Sequence, residues 1–108
     1  MTAANVRAWL DARRPTPPPP LAARLGAALE AYPPERLAAA VNMAEVMGGL
    51  GVALLDSLTP RGPTGDDVAM DLLAADAFVT YAFEAAAEEQ VAADALAARL
   101  LERVGAGA

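Results

Sequence analysis

Apolar side chains recur at three- and four-residue steps through most of this chain, and the rhythm breaks at clusters of proline and glycine. Val6, Trp9 and Leu10 share one face of a short first helix that Thr2 can cap and that runs to about Arg13, with Trp9 as its packing anchor. Pro15, Thr16 and the run Pro17 to Pro20 must be extended, since each proline fixes its own φ and disfavours helix in the residue before it. Leu21, Leu25, Leu29 and Tyr32 then form a second stripe, with Pro20 in its first turn and Pro33-Pro34 as its stop. The next pattern predicts one helix from Pro34 to Leu58, with a seam through Leu37, Val41, Ala44, Met47 or Gly48, Gly51, Leu54 and Leu58.

Thr59 to Gly65 reads as a loop, and Thr64 followed by Asp67 has capping-box spacing for the helix that begins after it. From Asp66 to Val104 neither glycine nor proline intervenes, and Val68, Leu72, Ala75, Val79 and Phe83 predict an apolar stripe. A single helix over that stretch would be about 57 Å long, too long for a compact body of this size. A bend is therefore expected near Glu88 to Ala93, followed by a last helix using Leu96, Leu100, Leu101 and Val104. The expected fold is all-α, a compact bundle of four to five helices. Residues 1–14 form an N-terminal amphipathic helix, 15–20 a proline-rich spacer, 21–104 the bundle and 105–108 a frayed tail.

Composition changes this picture in one respect. The chain has 29 alanines against 31 larger apolar side chains, and alanine favours helix while burying little area. A core must come from close helix approach or from a second copy of the chain. Ala44, Gly48 and Gly51, together with Leu96 and Leu100, are the candidate helix-packing or interface residues, since glycine in a helix interior costs up to about 1 kcal/mol and needs compensation.

There is no Cys and no His, which excludes disulfides, thiol chemistry, His-dependent triads and His-containing metal sites. The net charge is −6, with +1 on residues 1–61 and −7 on residues 62–108. An acidic chain of this kind is not expected to bind nucleic acid, and no apolar run is long enough to span a membrane, so a cytoplasmic location is the default expectation. Glu84 and Glu88 share a helix face, as do Asp67 and Asp71, but two carboxylates alone hold Mg²⁺ or Ca²⁺ weakly. They read as a solvated acidic face, and no metal, cofactor or catalytic residue is expected.

Asp76 sits among Leu72, Leu73, Phe78 and Val79, with Thr80 four residues on. If buried, it needs a partner such as Arg61, Arg36, Thr80 or Tyr81. Arg61-Gly62-Pro63-Thr64, followed by Leu73 to Ala77 and Ala82-Phe83-Glu84, resembles a segment of the all-helical polyprenyl synthases. The Asp-rich Mg²⁺-diphosphate motif of that family is represented here by Asp56 alone, so the resemblance implies helical architecture without metal-dependent diphosphate binding. The sequence thus points to a non-enzymatic interaction or homodimerisation module, partnered by a second copy or another helical protein. The alternative is a small-ligand domain or minor enzyme with a pocket at Asp76, Thr80 and Tyr81.

Overall fold

The computed structural model describes residues 1–58, 66–90 and 92–107, and within them the chain is all-α. Six helices follow in order: α1 (Ala3–Asp11), α2 (Pro19–Ala31), α3 (Pro34–Ala39), α4 (Met43–Leu58), α5 (Asp66–Glu88) and α6 (Ala93–Gly107). Thr2 caps α1 as the sequence suggests, its hydroxyl accepting from the Asn5 N–H at 3.2 Å. The extended spacer is shorter than expected, because Pro19 and Pro20 both enter the first turn of α2, where a missing N–H costs nothing. The loop from Thr59 to Gly65, with the Thr64 capping box and Arg61, lies outside the described residues. Among those described, no helix is long and apolar enough to cross a membrane.

The helix expected from Pro34 to Leu58 is two helices, which raises the count to six. Ala40 is extended, and Val41, placed in the seam by its spacing, is exposed. The break is stabilised by the satisfaction of a new set of N-terminal amides. Asn42 accepts from the Glu45 N–H at 2.8 Å, and the Glu89 carboxylate accepts from the N–H groups of Met43 (2.9 Å) and Ala44 (3.0 Å). An anion there also meets the positive end of the α4 dipole. Glu89→Ala should therefore cost about 1–2 kcal/mol in urea denaturation. Glu88→Ala, which removes a half-exposed partner of Arg13, should cost under about 1 kcal/mol.

Helix α4 is buried on nearly every side, as an element apolar all round must be. Its glycines point at different neighbours. A Cβ on Gly51 would lie 3.1 Å from Val79 Cγ2 and 3.3 Å from the Ala75 carbonyl oxygen, so α5 packs almost backbone to backbone against α4. A Cβ on Gly49 would collide with the Tyr32 hydroxyl and approach Arg103, and one on Gly48 would collide with a Leu100 methyl. The Cα radius of gyration, 13.2 Å, matches the roughly 13 Å expected for a compact domain of about 100 residues.

These contacts fix the helix directions. Glu89 lies over the start of α4 while Ala75 and Val79 lie against Gly51, so α5 runs antiparallel to α4. Helix α6 begins four residues after Glu89, which sits on Met43 and Ala44, and farther along it Leu100 meets Gly48 and Arg103 meets Gly49, so α6 runs parallel to α4 and antiparallel to α5. The turn between α5 and α6 falls in the expected interval, with Gln90 at φ 58°, the left-handed conformation that ends a helix. At the other end, α6 continues to Gly107, past the point where the sequence places a frayed tail. Two glycines raise the cost of the last turn without imposing a stop.

Helix α1 belongs to the body. Val6 and Leu10 are in the core, and Trp9 meets Tyr81 of α5 edge-on at 6.0 Å between ring centroids. Arg13 covers the outer face of Trp9 at 3.5 Å and donates to Glu88 at 2.9 Å, with Glu84 at 3.7 Å. Two acids expected to form a solvated face therefore hold the N-terminal helix in place.

Candidate functional site

The face that α5 turns inward is made of small residues. Ala74, Ala75, Phe78, Ala82, Ala85 and Ala86 are buried, and Asp71 joins them at 4% exposed. The stripe expected from Val68 through Phe83 is thus rotated toward the alanines. Helix α4 presents glycine at the contact, and only a small-residue partner can close that distance. Apart from Phe78, several bulky residues are left outside: Leu72 is 49% exposed, Leu73 56% and Phe83 38%.

Helix α6 divides its faces in the same way. Leu96 and Leu100 pack inward, and Arg99 and Arg103 occupy the flank turned to Glu45 and Tyr32. Ala97, Leu101 and Val104 therefore lie on the other flank, the one turned toward α5. Leu101 is 70% exposed and Val104 44%. Leu72, Val79 and Phe83 share the flank of α5 that faces back toward α6, since seven and four residues separate them. Leu55, near the end of α4, is exposed at the same border. The result is an apolar strip along the groove between two antiparallel helices. An exposed apolar surface of this kind is the ordinary mark of a docking face.

The residues singled out in the sequence are distributed differently from the expectation. Asp76 and Thr80 are both exposed and stand on the outer edge of the strip, beside Leu73 and Phe83. Tyr81 points away from them, toward Trp9. Burial, and secondly the neighbouring Glu84, push the Tyr81 hydroxyl above its ordinary pKa, partly offset by Arg13. The three are not brought into one pocket. Among the described side chains of α5 a buried acid is Asp71, paired with Arg24 of α2 at 2.5 Å; its place one helical turn before Ala75 was the available signal.

Ala44, Gly48, Gly51 and Leu96 are buried inside the chain, and Leu100 is half-buried against Gly48. They pack helices of one molecule together and leave no surface there for a second copy. A groove of about 250 Å³ between α2 and α4 is lined by Arg24, Tyr32, Leu50, Leu54 and Ser57. That falls below the roughly 300–1,000 Å³ of most small-molecule sites. Its polar groups already have partners: Arg24 binds Asp71, Ser57 donates to the Leu54 carbonyl, and Arg103 donates to the Tyr32 hydroxyl. Among the described residues, no group of three or more acidic side chains is arranged to hold a metal ion. No known protein family, curated protein or solved structure matches this chain.

Proposed function

We propose that the chain is a non-enzymatic helical interaction module that docks through the α5–α6 strip. The observation that carries this reading is the apolar surface left where the two helices border each other: the buried face of α5 is mostly alanine, while Leu72 and Phe83 of α5 and Leu101 and Val104 of α6 are exposed. Keeping half-exposed large apolar groups in water forgoes part of the roughly 1.5–3 kcal/mol that full burial of a Leu or Phe side chain contributes. A partner that covers the strip recovers it.

The test compares the wild-type chain with a Leu72→Glu, Leu101→Glu double variant. Both sites are exposed, so the variant should unfold within about 1 kcal/mol of wild type. Captured from the native host and weighed intact, the wild-type chain should carry a stoichiometric protein partner or a second copy that the variant lacks. Equal retention by both, or none by either, would remove the strip as a docking face.

A further inference from the structure

We infer that the occupant of the α5–α6 strip is a basic amphipathic helix of another protein, an assignment that rests on the interaction-module reading above. Charge complementarity selects this occupant. Asp76 stands on the α5 edge of the strip, and Asp94 and Glu102 stand on the outward side of α6, four residues before Ala98 and four after it. All three are exposed, and none forms an ion pair among the described residues. The two arginines of α6 are turned to the opposite flank, where both bind Glu45. The described part of this face therefore presents an apolar floor between two acidic edges, with no cation of its own.

Shape selects a helix. The floor runs from Leu72 to Phe83, which is about 16 Å along α5 at 1.5 Å per residue, or three turns of an incoming helix. The channel between two antiparallel helices is the surface into which the side-chain ridge of a third helix packs. Charge then selects its flanks. In a two-fold dimer through this strip the acidic edges of one copy would lie along the acidic edges of the other, and like charges across an interface oppose association. A helix with Leu at every third or fourth position and Lys or Arg on either side meets both the floor and the edges.

The probe is a synthetic helical peptide of about 15 residues with a leucine stripe and lysine flanks, titrated calorimetrically into the full chain. Its controls are the same peptide with Glu for every Lys, and a scrambled order of the same residues. The lysine peptide should bind one per chain, at least about tenfold more tightly than either control, and lose about tenfold on Asp76→Lys with Asp94→Lys. That double variant should in turn prefer the glutamate peptide. Equal binding of the lysine and glutamate peptides, or indifference to the charge reversal, would overturn the assignment. Sedimentation of the chain alone separates this failure from that of the underlying reading. Self-association abolished by Leu101→Glu would overturn the basic helix and retain the docking strip, and no binding of any kind together with a monomer would overturn both.

Discussion

Gly51→Leu should destabilise this protein by on the order of 3 kcal/mol or more, a large share of the roughly 5–15 kcal/mol that holds a domain of this size together. At Gly51 a single added carbon already meets Val79 Cγ2 at 3.1 Å and the Ala75 carbonyl at 3.3 Å, and the second of these is backbone that cannot rotate away. An isobutyl group would force α4 and α5 apart along their whole contact and open the layer of alanines between them. The thermal midpoint should fall by on the order of 15 °C or more, read by circular dichroism. Gly48→Ala provides the contrast. Its obstacle is the end of the half-buried Leu100 side chain, which can change rotamer, and alanine improves helix propensity by up to about 1 kcal/mol, so the two effects should nearly cancel. Equal midpoints for Gly51→Leu and wild type would show that the close approach of α4 and α5 is not a determinant of the fold.

Removing residues 1–14 should cost about 3–5 kcal/mol, because Val6, Leu10 and the Trp9–Tyr81 contact leave together. The deletion also strips Arg13 from Glu84 and Glu88 and leaves the two carboxylates one turn apart with no cation between them. Chemical denaturation of the truncated and full chains measures the difference. A free arm would leave the midpoint unchanged, and that result would place α1 outside the cooperative unit.

The parts of the fold that were legible in the sequence are those marked by strong local chemistry. Thr2, the proline run, Pro33-Pro34 and the amphipathic step at Trp9 each constrain the backbone or bury a large group, and the helices start, stop and dock accordingly. The interval between Glu88 and Ala93 followed from length alone. Two features were not legible in the same way. The division at Val41-Asn42 had a signal in Asn42 with Glu45 three residues on, but its decisive partner is Glu89, which is remote in sequence. The rotation of α5 was hidden because periodicity weights residues by bulk, whereas the contact with α4 is decided by how little space each side chain takes. Asp76 was for that reason read as a candidate buried acid among Leu72, Leu73, Phe78 and Val79, whereas Phe78 is buried, Val79 half-buried, and Asp76, Leu72 and Leu73 face outward. Of the residues singled out for a site, Asp76 and Thr80 stand beside the exposed strip, whereas Tyr81 is turned to Trp9 and Ala44, Gly48, Gly51 and Leu96 are buried within the chain.

The inward face of α5, five alanines around one phenylalanine, has a consequence for how stability varies with temperature. The heat-capacity change of unfolding follows the apolar area newly exposed to water. A layer in which methyl groups meet glycine, beside several leucines already hydrated in the native state, exposes less apolar area on unfolding than a layer of leucines does. The heat-capacity increment should fall below the usual 12–15 cal/mol/K per residue or so. For a given midpoint and unfolding enthalpy the stability curve is correspondingly broader: it bends less on cooling, and its cold-denaturation limit is displaced to lower temperature.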